Sequence, residues 1–254
     1  MALTKADVRK EVLDSNYAIR GPIADEAQKM SDSGRYVYRG NIGNPRELGM
    51  PRLTYIGQVM GIVENPKLLL NKSALENSFG IPLTIIQTAE SIVDNLKGKA
   101  MGAYSESAGY NFVRQAVAAY INHRDGIPAN ADSIILTEGA SAGIQMVLEA
   151  LIKDRKTGVL VPIPEYPLYS ASVSCLEGKA IGYHTDQEDG FGITESGLER
   201  AIVKAKESRI NPKLMIVTNP SNPTGAVMSK QDIEMTIRFA QKHKLAILAD
   251  EVYQ

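Results

Sequence analysis

The sequence predicts a three-layer α/β fold built on a mostly parallel sheet. Three observations point there. Short apolar runs of strand length recur through residues 134–249. Between them lie segments whose apolar residues fall at i, i+3, i+4 and i+7, the spacing of one helix face. The strand runs carry no polar alternation, which fits strands covered by helices on both sides. Strand–helix–strand alternation is met by parallel neighbours joined through right-handed crossovers.

The elements follow in order. Residues 1–75 read as an N-terminal arm plus part of a small domain, and 76–254 as the large domain. In the first segment, residues 7–13 are a candidate short helix, Gly21-Pro22 a break and residues 23–30 a further helical stretch. Asn41, Ile42, Gly43, Asn44 and Pro45 read as a strand end running into a turn. Residues 54–63 are helical in pattern and stop near Asn65-Pro66. Val113, Ala116, Val117, Tyr120 and Ile121 mark an amphipathic helix. Ile134, Ile135 and Leu136 form a short strand run, and Ile144, Val147, Leu148, Leu151 and Ile152 repeat the helical spacing.

Residues 159–161 are the second strand, ended by Pro162 and Pro164, and residues 166–176 a helix. Residues 180–183 make the third strand. Thr194 is placed to cap the helix that follows. Residues 214–217 are the fourth strand. Ser229 with Asp232 has the form of a capping box. Residues 245–249 are the fifth strand.

Composition excludes several classes. The chain has 254 residues, 44% hydrophobic and 22% charged, with a formal net charge of −1. That balance carries no basic footprint for nucleic acid. Cys175 is the single cysteine, so an intrachain disulfide and a paired-cysteine metal site are excluded. His123, His184 and His243 show no ligand spacing, so no metal is expected. No apolar run approaches the ~20 residues that span a bilayer. The N-terminus lacks an apolar leader, and the expected compartment is the reducing cytoplasm.

Four constellations lie beyond strand ends, where ligands of such sheets collect. Thr137-Glu138-Gly139-Ala140-Ser141 joins a strand to a helix N-terminus, which is an anion site as well as an ordinary cap. In the 162–169 segment two prolines aim Tyr166 just past a strand, where it either stacks on a flat ligand or packs in the loop. Asn219-Pro220-Ser221-Asn222-Pro223-Thr224-Gly225 is a stiff turn that holds Asn222 as a fixed amide. Asp250 directly follows the fifth apolar run, where a carboxylate is costly to desolvate without a cationic partner; the alternative is an exposed helix cap. Tyr253 follows three residues later. Together these outline a site for a planar, phosphorylated heteroaromatic cation, which is the chemistry of pyridoxal 5′-phosphate.

The sequence also resembles the fold-type-I aminotransferases, and within them the alanine aminotransferase branch. The stretches that carry the likeness are Tyr17-Ala18-Ile19-Arg20-Gly21-Pro22-Ile23, Asn41-Ile42-Gly43, Ala103-Tyr104-Ser105, Arg124-Asp125-Gly126-Ile127-Pro128-Ala129, and segments 162–171 and 248–254. The resemblance implies that Ala140 and Ser141 hold the cofactor phosphate and Tyr166 stacks on the ring. It implies that Asn222 and Tyr253 bond the phenolic oxygen and that Asp250 pairs with the ring nitrogen. Gly43 would meet the substrate carboxylate, and Tyr104 would reach the phosphate of the other subunit in a homodimer. The implied reaction moves an amino group between alanine and 2-oxoglutarate, with glyoxylate as an alternative oxo acid. A non-catalytic fragment of the same fold is the other reading.

The same resemblance expects a Schiff-base lysine beyond the Asp250–Tyr253 motif, past Gln254, so no catalytic residue is assigned within the chain. Lys213 and Lys244 precede their strands and belong to the opposite sheet edge; Lys244 is about 20 Å from Asp250 at ~3.3 Å per residue. Lys153, Lys156 and Lys179 fail likewise. Lys230 and Lys242 read as solvated helix residues, and nothing supports Lys97 or Lys99. The expectation is therefore an N-terminal portion of a longer enzyme. Expressed alone, with unpaired strand edges, it is expected to be poorly soluble.

Overall fold

The structure is a computed structural model that describes residues 4–14, 21–40, 43, 46 and 49–253. Asn41, Ile42, Asn44 and Pro45, read above as a strand end and turn, lie outside the described residues, as do residues 17–20. In chain order the helices are α1 (Lys10–Leu13), α2 (Pro22–Asp32), α3 (Thr54–Glu64), α4 (Lys72–Asn77), α5 (Leu83–Leu96), α6 (Asn111–Asp125) and α7 (Ala140–Leu151). Then β1 (Thr157–Ile163), α8 (Leu168–Cys175), β2 (Lys179–His184), α9 (Glu195–Glu207), β3 (Asn211–Thr218), α10 (Lys230–His243) and β4 (Ala246–Asp250) alternate strand and helix. The chain groups into two compact units, 1–42 with 137–254 and 43–136.

The first unit is the α/β layer structure. Its sheet is parallel throughout, in the order β2-β1-β3-β4. Residue parity along the central strands sends alternate side chains to opposite faces. Val159 and Val161 of β1 and Leu214 and Ile216 of β3 pack with Ile144 and Leu148 of α7 and Leu168, Tyr169 and Val173 of α8. On the other face Leu160, Met215 and Val217 meet Leu198, Ala201 and Ile202 of α9 and Phe239 and Ala240 of α10. That is three layers, as expected.

Local signals behave as read. The Thr194 side chain accepts from Gly197 N–H at the start of α9. Ser229 and Asp232 close a reciprocal capping box on α10. Each satisfies N–H groups that a helix start leaves without partners.

Two expectations fail. Residues 134–136 form no strand: Ile134 is extended (φ −109°, ψ 129°), yet the segment's single longer-range backbone bond runs from Leu136 N–H to the Ala108 carbonyl, and Ile135 is 61% exposed. An extended run without a second backbone alongside has no ladder to join. The last strand is also not covered on both faces, since Ala246, Ile247 and Ala249 of β4 are exposed. Among the described residues it is the edge of the sheet, with β3 as its one neighbour.

The second unit is helical. Val59, Ile62 and Val63 of α3, Leu75 of α4 and Ile85, Ile86, Ala89 and Leu96 of α5 form its core. The buried Arg114 guanidinium of α6 donates to the carbonyls of Gly109 and Ala131, fastening the helix to the segments on either side of it.

Candidate functional site

The strand order reverses between β1 and β3, because β2 lies outside β1 on one side and β4 outside β3 on the other. Crevices open at the carboxyl ends of strands at such a switch point. A cavity of about 210 Å³ lies there, lined by Ala140, Ser141, Tyr166, Asn222, Asp250 and Tyr253 together with Tyr169 and Thr218. Six residues singled out in the sequence thus meet in one place, although 110 positions separate Ala140 from Asp250. Gly43 and Tyr104 belong to the second unit and do not line this cavity. Tyr104 is fully exposed.

Each side chain is delivered by a local device. Gly139 sits at φ 86°, ψ 169°, a backbone region that is essentially glycine's own, and lets the chain turn into α7. No side chain caps α7, so its first-turn N–H groups at Ala140 and Ser141 stay open to an acceptor. Tyr166 follows β1; its carbonyl accepts from Tyr169 N–H at 3.2 Å and its ring meets the Tyr169 ring edge-on at 5.9 Å. Asn222 is carried by a turn closed from Ser221 N–H to the Ala226 carbonyl and from Gly225 N–H to the Ser221 carbonyl. Asn219 ties that turn down: its N–H donates to the Asp250 carbonyl and its side-chain oxygen accepts from Met228 N–H.

Asp250 is the electrostatic centre. It ends β4 and is 8% exposed, so it is buried and not a solvated cap. The Tyr169 hydroxyl donates to its Oδ2 at 2.7 Å, and Val252 N–H donates to Oδ1 at 3.2 Å. Among the described residues no Lys, Arg or His pairs with it. Burial, and then the neighbouring Asp250 carboxylate, push the Tyr169 hydroxyl well above the ordinary tyrosine range, so it stays a donor. Burial also raises Glu165, against hydrogen bonds from Ser170.

Two lining residues escaped the sequence reading. Tyr169 and Thr218 lie 49 positions apart and meet at 2.7 Å through their hydroxyls. Thr218 is the registered neighbour of Asp250 across β3 and β4. The available signal was a polar residue ending an apolar strand, repeated on adjacent strands.

The arrangement offers an anion cradle at a helix N-terminus, an aromatic face, an amide, a phenol and a buried unpaired carboxylate. That donor set fits pyridoxal 5′-phosphate, whose phosphate, flat ring and basic nitrogen need these groups. Among the described residues no cluster of three or more His, Cys, Asp or Glu is arranged to hold a metal. No described helix is long and apolar enough to cross a membrane.

Comparison with known proteins agrees with this chemistry. The family described as aminotransferase class I and II matches residues 66–254. Alanine aminotransferase 2 of Panicum miliaceum is 38% identical over 265 residues, covering 100% of this chain and 54% of the relative. Glutamate–glyoxylate aminotransferase 2 of Arabidopsis thaliana is 35% identical over 253 residues, covering 100% of this chain and 52% of the relative. The structure of an alanine aminotransferase from Pyrococcus furiosus superimposes with a TM-score of 0.72 at 23% identity, covering 97% of this chain and 52% of that one, a likeness of fold. The chain thus spans about half the length of the curated relatives it matches.

Proposed function

The chain belongs to the class I and II aminotransferase family, a family of pyridoxal-phosphate enzymes, and from that premise we propose that it carries the cofactor-binding part of an alanine transaminase. The reaction moves an amino group between alanine and 2-oxoglutarate. The observation that carries this reading is the convergence of Ala140, Ser141, Tyr166, Asn222, Asp250 and Tyr253 on one cavity at the switch point of the sheet.

The roles follow from the donor set. The open N–H groups of α7 and the Ser141 hydroxyl receive the phosphate. Tyr166 covers a ring face. Asn222 and Tyr253 bond the ring oxygen. Asp250 balances the ring nitrogen's charge in a buried site, where such a pair is strong. With its nitrogen held protonated, the bound cofactor supplies an electron sink for a carbanion at the amino acid's Cα. Gly43 is assigned to the substrate carboxylate and Tyr104 to the phosphate site of a second subunit, which makes the working form a homodimer. The place of action is the cytoplasm.

Glyoxylate is the competing oxo acid, favoured by the 35% identity to a glutamate–glyoxylate aminotransferase. The test uses the protein at its full coding length, loaded with pyridoxal phosphate. Pyruvate formed from alanine with 2-oxoglutarate at the higher kcat/KM supports the proposal. A higher value for glutamate with glyoxylate transfers the assignment to the second reading. Failure to hold the cofactor overturns both.

A further inference from the structure

Asp250 is held in place by a chain of hydroxyls that the reaction chemistry above does not use. A carboxylate has about four lone-pair sites. The Tyr169 hydroxyl occupies one on Oδ2 at 2.7 Å, and Val252 N–H occupies one on Oδ1 at 3.2 Å. Tyr169 has one proton, and Thr218 Oγ1 also lies 2.7 Å from its oxygen. With that proton given to Asp250, the Thr218 hydroxyl donates to the phenol oxygen. The chain therefore runs Thr218 to Tyr169 to Asp250, and each bond polarises the next.

Several features make this a rigid support. Tyr169 of α8 is 0% exposed, packed in the core with α7, β1 and β3. Thr218 and Asp250 are registered partners on adjacent strands, so one hydroxyl spans both strand ends. The phenol stays protonated because burial and the adjacent carboxylate both oppose its ionisation.

We propose that Tyr169 is a positioning residue: it fixes the rotamer of Asp250 through Oδ2, so that the carboxylate presents its remaining acceptor sites to the cavity, with Thr218 orienting Tyr169 in turn. This rests on the assignment of the cavity to pyridoxal phosphate. It goes beyond it by naming two residues that act through Asp250.

The test titrates pyridoxamine 5′-phosphate, which binds without a covalent link, into cofactor-free protein of full coding length. Affinity and the induced circular dichroism of the ring are read together. Tyr169→Phe keeps the ring in the core and removes the hydroxyl; it is expected to weaken binding about tenfold and to diminish the dichroism, the loss of one hydrogen bond to a charged group. The same change made beside Asp250→Asn is expected to add less than about twofold, because a residue acting through Asp250 has nothing left to act on. Thr218→Val is expected to give a smaller loss in the parent and none beside Tyr169→Phe.

If Tyr169→Phe binds like the parent while Asp250→Asn does not, the positioning role is overturned. It is equally overturned if the Tyr169→Phe loss persists in full beside Asp250→Asn, since that is the signature of a general packing effect. If Asp250→Asn itself leaves affinity and dichroism untouched, the cofactor assignment falls, and this inference with it.

Discussion

Replacing Asp250 with asparagine separates what its charge does for the fold from what it does for chemistry. In the cofactor-free protein the carboxylate is buried, and among the described residues it has no cationic partner. Its favourable contacts are the bonds from Tyr169 and Val252. Hydrogen bonds to a charged group contribute about 1.5–3 kcal/mol each. The desolvation of a buried carboxylate costs several kcal/mol, which nearly offsets them. The neutral isostere is therefore expected to change unfolding free energy by about 1 kcal/mol or less. That is about 2–4 °C for a chain of this size.

A bound cationic ring alters the balance. Two unit charges 4 Å apart at an effective dielectric near 20 attract by about 4 kcal/mol. At 1.36 kcal/mol per decade, turnover is expected to fall about a thousandfold. Calorimetry of the cofactor-free protein and single-turnover amino transfer measure the two effects separately. A near-parental rate refutes the charge-pairing role. A loss of more than about 10 °C in the cofactor-free form shows instead that Asp250 serves the fold.

Three other outcomes test the site and its scaffold. Gly139→Ala is expected to cost about 1–3 kcal/mol, because φ 86° with ψ 169° strains any side chain, and to weaken phosphate-ester binding; an unchanged melt counts against the turn. Tyr166→Ala is expected to loosen cofactor binding about tenfold, and equal affinity in a fluorescence titration removes the stacking role. Glu199 is held below its ordinary 4.5 by Lys242 and then His243, so this pairing contributes fully above pH 4.5 and is lost as pH falls through the lowered value. Glu199→Gln is then expected to flatten the acid limb of the stability curve, and curves of identical shape reject that source of acid sensitivity.

The candidate site was legible in the sequence because each of its parts is announced locally. An apolar run followed within three residues by glycine and then a helix pattern marks Ala140 and Ser141. Paired prolines mark Tyr166, doubled Asn-Pro marks Asn222, and a carboxylate closing an apolar run marks Asp250. Each is readable within about ten residues, since the physical cause is the turn chemistry of that stretch. Tyr169 and Thr218 were not legible for the opposite reason. Their hydroxyls meet across 49 positions, and that of Tyr169 reaches Asp250 across 81. Burial hides a tyrosine's polar end behind a helix pattern that its ring alone satisfies.

The residues that failed as strand show where side-chain pattern stops determining structure. Ile134, Ile135 and Leu136 have the β-branched and apolar character of β1, and Ile134 takes extended dihedrals. What separates them from Val159, Leu160 and Val161 is the neighbourhood. β1 has β2 on one side and β3 on the other, and its centre is buried throughout. Residues 134–136 have a local turn bond from Ile134 N–H to the Ala131 carbonyl and a single longer-range one, from Leu136 N–H to the Ala108 carbonyl, and they expose Ile135. β4 stands between the two cases, with one neighbour and a largely exposed surface. Strand content along these three runs thus follows the number of flanking backbones, not the propensity of the residues. Asp250 is the exception that joins fold to function: on that exposed edge strand it alone is buried, with the Tyr169 hydroxyl on its Oδ2 and Thr218 bonded to Tyr169 in turn. The phenol that donates to the carboxylate comes from a residue buried in the core, so loosening the Tyr169 contact is expected to disturb charge and position together.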